Sequence, residues 1–313
     1  MDALILEKRI RKTQSSLVSL HPQAKINLSL VVNPPRPDGF HDIHTVMAKV
    51  SLCDDLTVTS HTARGIHLTC SGIASPSGSE NIVYQAAELL AAKAEIAPAV
   101  EIQLHKRIPS GAGLGGGSSD AAAALRALNT LWQLDYSTEQ LVELAMQLGS
   151  DVPFFLYGPI AICMGRGEQV RPLHVCSHRT IVLFLSDIHV PTVEIYRHYR
   201  CNPNLNEEHM AHVTRALASN DLDSLLSQPV NTLADTCLQR FEQLDTVKWS
   251  IEQMGIEPVC LSGSGSALFT SCDSQQQARD WAELINNANI AQAIVVNIED
   301  ACDPLPEVQR ADH

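Results

Sequence analysis

The residues most able to do chemistry form one run, Pro109-Ser110-Gly111-Ala112-Gly113-Leu114-Gly115-Gly116-Gly117-Ser118-Ser119, set between an alternating segment and an Ala-rich one. Glycines without a Cβ let the backbone curl against a ligand, and the first N–H groups of a following helix have no intrahelical partner. Such a loop is an anion site, and phosphate is its obvious guest. A flexible linker would not carry Leu114 in its middle and end in a good helix former. Gly111, Gly113 and Gly116 satisfy the dinucleotide spacing G-x-G-x-x-G, with Asp135 near the expected distance. The preceding strand, however, has a polar face, and no clear strand ends at Asp135 to offer its carboxylate to a ribose. A Walker loop needs Lys after its last glycine, whereas Ser118 follows Gly117. Protein-kinase catalytic signatures are absent.

Outside the loop, Asp151 follows a helix end and precedes Val152-Pro153, where proline steers the residue before it to extended geometry and projects a loop. A turn aspartate alone is more often structural. Lys25 lies among apolar strand neighbours, where a lysine either snorkels to solvent or serves a site. Asn27, two residues on, shares its strand face and reads either as a substrate contact or as a satisfied core amide. Phe40 and His41, read unaided, are a core aromatic and a turn histidine.

The elements that must hold these groups are mixed. Ala24 to Val32 reads as a strand, closed by the turn Asn33-Pro34-Pro35-Arg36-Pro37-Asp38-Gly39. Strand patterns follow at Leu56 to Thr59, Ile66 to Thr69, Val100 to Lys106, Ile160 to Met164, Thr180 to Leu185, Pro258 to Leu261 and Ala293 to Ile298. Helical spacing marks Asn81 to Ala92, Ser118 to Trp132, Thr138 to Leu148 with Gly149 as its stop, Glu208 to Leu217, Cys237 to Met254 and Ser274 to Ala288. Cys201-Asn202-Pro203-Asn204-Leu205-Asn206 reads as a break into a second domain, with the boundary near 175–205.

Composition narrows the partners. The 313 residues, 45% of them hydrophobic, are enough for a sizeable core and suit two domains. A net charge of −13 opposes attraction to nucleic acid or to anionic membranes. An anionic small substrate then needs local positive groups and backbone donors. Nine scattered cysteines with no Cys-x-x-Cys spacing read as reduced thiols. With no apolar run of about 20 residues and no secretory pattern in the first residues, the expected compartment is the cytoplasm.

The loop resembles the ATP-binding motif of the GHMP kinase superfamily in the expanded form P-x-G-A-G-L-G-G-G-S-S. Ala24-Lys25-Ile26-Asn27-Leu28, Asp38-Gly39-Phe40-His41, Leu148-Gly149-Ser150-Asp151-Val152-Pro153 and Leu261-Ser262-Gly263-Ser264-Gly265-Ser266 agree in order and spacing. The likeness covers roughly 22–300. It implies an α+β fold in two domains: a ribosomal protein S5 domain 2-like unit over 21–180 and a ferredoxin-like unit over 181–300, with 1–20 an extension and 301–313 a polar tail. It also implies a small-molecule kinase using ATP and Mg²⁺, whose acceptor is the tertiary 2-hydroxyl of 4-diphosphocytidyl-2-C-methyl-D-erythritol, in the non-mevalonate isoprenoid route. The protein would be a monomer or homodimer with no nucleic-acid or membrane partner.

The same resemblance distributes roles. Asp151 becomes the general base and Lys25 its partner, which keeps the carboxylate ionised and stabilises the transferring group. Residues 109–119 hold ATP, with Ser118 or Ser119 capping the helix and contacting phosphate, and Lys106 and Asn81 near the adenine and ribose. Asn27 bonds substrate, Phe40 and Tyr196 sandwich a cytosine, His41 reads its edge, Thr192 adds a hydroxyl, and Gly263 and Gly265 line the diphosphate. The metal ligands stay unassigned. The chain departs from the family at Asn231-Thr232-Leu233-Ala234, where Asn-Asp-Leu-Glu is usual, and at Phe40, where tyrosine is usual. Two alternatives stay open: a kinase of the same superfamily for a mevalonate- or homoserine-like acceptor, and a non-catalytic binding protein on the same fold.

Overall fold

The computed structural model describes residues 16–173, 179–298 and 307–310. In chain order its first half contains strands Ser16–Leu20 (β1), Gln23–Pro35 (β2), His41–Cys53 (β3), Asp55–Ser60 (β4) and Gly65–Gly72 (β5), helix Ile82–Lys93 (α1) and strand Ala99–Lys106 (β6). Helices Gly116–Leu131 (α2), Thr138–Leu148 (α3) and Val152–Phe155 (α4) follow, then strands Ile160–Gly165 (β7), Gln169–Pro172 (β8) and Arg179–Leu185 (β9). The second half begins with helices Thr192–His198 (α5), Pro203–Ala218 (α6) and Leu222–Ser227 (α7), strand Val230–Asn231 (β10), and helices Ala234–Arg240 (α8) and Glu242–Glu252 (α9). Strands Cys260–Leu261 (β11) and Leu268–Cys272 (β12), helix Gln275–Asn287 (α10), and strands Gln292–Ile298 (β13) and Glu307–Arg310 (β14) complete it.

Among the described residues the strands make two sheets. Five run in the order β14-β1-β4-β6-β5, and nine belong to a second sheet along β10-β2-β3-β13-β9-β12-β11, with β7 pairing β3 and β8. The larger sheet joins both halves of the chain: Val50 of β3 is opposite Ile298 of β13, and Ser29 of β2 is opposite Val230 of β10. Residues 16–20, assigned above to the extension, are a strand flanked by β4 and β14, with Val18 fully buried. Residues 307–310, assigned to the tail, are the strand beside them. Hydrogen bonding to a neighbouring edge, which composition does not report, draws both segments into the sheet.

Most patterned elements stand within a residue or two of where periodicity puts them. Strand β6 buries every second residue over most of its length, as a strand with one wet face should. Helix α3 starts at a capping box in which Ser137 accepts from the Gln140 amide and Gln140 accepts from that of Ser137. In α2, Ala121, Ala122, Ala124 and Ala127 are buried, and their short side chains let the helix lie close on β1, β4 and α1.

Three expectations differ, and one strand was not expected at all. Strand β3 has no clear period-two pattern because six consecutive residues, 45–50, are buried, packed on both faces of the sheet and not alternating between wet and dry. Asn202-Pro203 is not a break but a helix start, where Asn202 accepts from the Leu205 amide and proline occupies the first turn. The helix expected over Cys237 to Met254 divides at Phe241 into α8 and α9. Val152-Pro153 begins the single turn α4, with Asp151 in a right-handed helical conformation at its N-cap, because proline is well accommodated in a helix's first turn.

Candidate active site

Strand β2 carries Lys25 and Asn27 on one face, and both are buried. The Lys25 Nζ donates to Asn27 Oδ1 (2.7 Å) and to the Gly113 carbonyl (2.6 Å), and lies 3.8 Å from Asp151 Oδ2. An ammonium has three donors, and these three oxygens surround it. Burial pushes the Lys25 pKa down, while the Asp151 carboxylate and then Cys163 oppose that shift. Asn27 is itself held, since its Nδ2 donates to Thr45 Oγ1 (2.8 Å), whose hydroxyl in turn donates to the Ser29 carbonyl (2.5 Å). The Asp151 side chain keeps 34% of its surface exposed, against 4% for Lys25.

The glycine loop runs from the end of β6 to the start of α2 and is anchored by its apolar members. Leu114 and Ala112 are buried, the Leu114 carbonyl accepts from the Lys25 amide (2.9 Å), and the Ala112 carbonyl accepts from the Ala267 amide (3.0 Å). Ser262 Oγ donates to the Gly113 carbonyl (3.2 Å). The loop is thus stitched to β2 on one side and to the segment before β12 on the other. Two glycines are required by close approach: a Cβ on Gly113 would sit 2.4 Å from the Ser262 carbonyl oxygen, and one on Gly115 2.9 Å from Phe155 Cζ and 3.0 Å from Lys25 Cγ. Both have positive φ, which a side chain rarely tolerates.

Above the loop lies a cavity of about 390 Å³ lined by Pro109, Ser110, Gly111, Gly113, Gly115, Gly116, Gly117 and Ser118, with Asn81, Lys106, Glu80 and Asp120 in its walls. Ala112, Leu114 and Ser119 are buried beneath it. Gly115, in the left-handed region, is the N-cap of α2, and no side chain caps that helix, so neither Ser118 nor Ser119 plays the capping role expected of it. The orphan amides of the first turn are left for a ligand, which is the cradle an ATP phosphate needs. Asn81 is occupied: it accepts from the Val83 amide (2.9 Å) and donates to the Pro76 carbonyl (2.8 Å), so it shapes the cavity wall by capping α1. Lys106 is occupied too, with its ammonium between Asp54 and Asp120, carboxylates that sequence reading missed. Among the described residues no group of three or more His, Cys, Asp or Glu side chains is arranged to hold a metal. A Mg²⁺ bound largely through nucleotide phosphates and water fits such a wall.

A second cavity, about 620 Å³, has Asp151 in its lining, together with Phe40, His41, Thr192 and Tyr196. Thr192 Oγ1 is 2.9 Å from Ser264 Oγ. His41 Nδ1 is 2.6 Å from the Asn33 carbonyl oxygen; a carbonyl only accepts, so Nδ1 carries hydrogen and neutral imidazole turns Nε2 into an acceptor. The ring facing Tyr196 is His41, at 5.6 Å and 58°, while Phe40, half exposed, has the Arg166 guanidinium 4.0 Å from its centroid. Burial and then the Asp151 charge raise the Tyr196 pKa, so its phenol stays neutral. Arg166, Arg197 and Arg200, three cations in the wall of one cavity of an acidic protein, were also missed; nothing in their spacing marks them. Gly263 and Gly265 are not in the lining of this cavity: a Cβ on Gly263 would be 3.1 Å from Asn27 Oδ1 and 3.6 Å from Lys25 Nζ, beside the reactive pair, and one on Gly265 would meet Leu261 and Cys237. The departure at 231–234 keeps its first residue useful, since Asn231 Nδ2 donates to the Leu261 and Gly263 carbonyls (2.9 and 2.8 Å).

Residues 81–159 match the family of GHMP kinases N terminal domains. The chain is 39% identical over 260 residues to the 4-diphosphocytidyl-2-C-methyl-D-erythritol kinase of Pelotomaculum thermopropionicum, covering 83% of this chain and 91% of that one. It is also similar to a solved 4-(cytidine 5'-diphospho)-2C-methyl-D-erythritol kinase, at 36% identity and a TM-score of 0.75, over 90% of this chain and 100% of the other. A homoserine kinase from Cytophaga hutchinsonii shares the fold at 18% identity, with a TM-score of 0.72 over 96% and 99% of the two chains. Loop, cavities and likeness together assign a small-molecule kinase: the chain belongs to the 4-diphosphocytidyl-2-C-methyl-D-erythritol kinase family of the GHMP kinases.

Proposed function

We propose that this kinase phosphorylates the 2-hydroxyl of 4-diphosphocytidyl-2-C-methyl-D-erythritol with ATP, using Asp151 as general base and Lys25 as its partner. The observation that carries the reading is the position of one pair. Asp151 lines the larger cavity, and the Lys25 ammonium 3.8 Å away is bonded to a carbonyl of the glycine loop. A hydroxyl in the larger cavity and a phosphoryl group over the loop therefore have this pair between them. The partly exposed carboxylate takes the hydroxyl proton as the oxygen attacks phosphorus. Lys25, fixed by Asn27 and Gly113, stabilises the negative charge on the group in transit. Amides of Gly115, Gly116 and Gly117, with Ser118, hold the phosphates; Mg²⁺, when bound with the nucleotide, supplies neutralising charge there.

On the acceptor side, His41 Nε2 accepts from the exocyclic amine of a cytosine, and Phe40 and Tyr196 provide aromatic surface for the ring. Arg166 occupies one face of Phe40, so the base enters by the other face or displaces the guanidinium. The size of the cavity and its three arginines favour an acceptor bearing a diphosphate over mevalonate or homoserine.

Asp151→Asn tests the reaction. The variant keeps the shape and loses the proton acceptor, so turnover is expected to fall roughly 10²–10⁴-fold with ATP affinity nearly unchanged. Retention of more than half the turnover removes Asp151 as base. A parallel assay of free 2-C-methylerythritol 4-phosphate as acceptor tests the cytidine reading, which is lost if the two compounds are used equally well.

A further inference from the structure

The reaction as proposed leaves one buried cluster unused. At the floor of the nucleotide cavity the Lys106 ammonium, 3% exposed, lies between Asp54 Oδ2 and Asp120 Oδ2, the second at 2.6 Å. Both carboxylates are buried. Asp54 does more than balance charge: its Oδ1 accepts from the backbone amides of Arg107 and Ile108 (2.9 Å for the second), the first two residues after β6. Asp120 belongs to the second turn of α2, directly after the glycine loop. The cluster therefore grips the chain just before the loop and just after it. Its third member is close to the cradle, since a Cβ added to Gly116 would lie 3.2 Å from Lys106 Nζ and 2.8 Å from Ile108 Cγ2.

We propose that Asp54, Lys106 and Asp120 form a positioning bridge that clamps the two ends of the phosphate loop, and that the bridge holds one proton between its two carboxylates. The proposal rests on the reading of this loop as the ATP site. Lys106 acts on the nucleotide through the backbone it fixes and not by touching adenine or ribose, because its ammonium is already engaged by the two carboxylates. A single ammonium between two buried carboxylates leaves one negative charge in excess, and Asp120 Oδ1 is buried with no hydrogen-bond partner. Protonating Asp120 removes that charge from beneath a site that must accept a polyphosphate. Burial raises the Asp120 pKa to about 8, against the pull of Lys106 and with a contribution from Asp54. Among the described residues, the charged groups acting on it are Lys106 of β6 and Asp54 at the β3–β4 junction; Arg107 is turned to Asp55, and Glu80 is also in the cavity lining.

The sign of the pH effect follows. Between the ordinary carboxyl value of 3.8 and about 8 the folded chain holds a proton that the unfolded chain has lost, so native stability falls as pH rises through that window and levels off above it. ATP affinity falls as pH passes about 8, where a bare charge appears under the loop.

The experiment titrates ATP, without acceptor, into the full chain and into Lys106→Met, Asp120→Ala and Asp120→Asn, and records melting temperature from pH 4 to 9. Lys106→Met and Asp120→Ala are expected to weaken ATP binding roughly tenfold or more, the scale of a lost hydrogen bond to a charged group, and to leave acceptor binding unchanged. Asp120→Asn, neutral and of the same shape, is expected to restore most of that loss, to abolish the inflection near pH 8, and to gain melting temperature on the wild type steadily as pH rises from 4 to 8. The bridge is refuted if Asp120→Ala and Lys106→Met bind ATP like the wild type, or if Asp120→Asn fails to rescue Asp120→Ala or keeps the inflection. Should Lys106→Met not fold, the two Asp120 variants decide. A wild type that does not bind ATP sinks the nucleotide reading instead, and the melting curves still judge the shared proton.

Discussion

Lys25 and Lys106 are buried to the same degree, 4% and 3% exposed, and each stands beside aspartate, but their surroundings differ. Lys106 is enclosed by Asp54 and Asp120, both inaccessible and both in direct contact with its ammonium. Lys25 faces a single carboxylate across 3.8 Å, and that carboxylate opens into a cavity. An ammonium held by two buried carboxylates has its charge more than offset, and what it contributes is a fixed position for the chain segments that carry them. An ammonium with one loose partner, fixed by neutral oxygens of Asn27 and Gly113, keeps charge available for a group that arrives later. Burial of a lysine is therefore no guide to its role, whereas the state of its partner is.

The comparison breaks first at Lys25. Lys25→Met is expected to lower turnover by about 10²–10³-fold, the scale for removing one preorganised electrostatic partner of a transition state. Its kcat should fall further than its ATP affinity, because the Gly113 carbonyl keeps Ser262 as a donor. Turnover above a tenth of wild type would place Lys25 with Lys106 among the purely positioning lysines. Next in size, Phe40→Ala is expected to raise the acceptor KM about 5- to 150-fold, from the 1–3 kcal/mol of a base stacked on an aromatic ring, and to leave ATP affinity alone. An unchanged KM would mean that the Arg166 guanidinium, and no base, is the proper occupant of that ring. The smallest effect concerns Asn231, whose amide ties two carbonyls beside Asn27. Asn231→Ala is expected to cost about 1–3 kcal/mol of stability in a denaturant titration, as two buried carbonyls lose their donor. No loss would make the 261–265 turn self-supporting.

Much of this site was legible before any coordinates. The glycine loop, the strand that enters it and the helix that leaves it are local in sequence, and each is dictated by local sterics: glycine at positive φ, alternation in β6, alanine in α2. Asp151, Lys25, Phe40, His41, Thr192 and Tyr196 were legible only through family likeness, and the structure places five of them around one cavity with Lys25 buried behind Asp151. Gly115 shows how a correct choice can have an incomplete reason. Sequence reasoning kept it bare for phosphate, while in the fold the space a Cβ would take belongs to Phe155 and Lys25, so a larger residue there would disturb the reactive pair as well as the nucleotide. Strand β3 went unread because burial on both faces erases the period-two signal.

By itself the sequence determined the glycine loop, the positions of most helices and strands, and the acidic balance of the chain. Only the tertiary structure decided which lysine is free to act. Lys25 and Asp151 are 126 residues apart in the chain and Lys106 and Asp54 52 apart, so their meeting depends on the registers of β2, β3, β4 and β6 and on where α4 begins. Spacing along a chain fixes neighbours only within a turn or a strand. The pairing of distant charges depends instead on desolvation and on hydrogen bonds that exist once both sheets have closed around them.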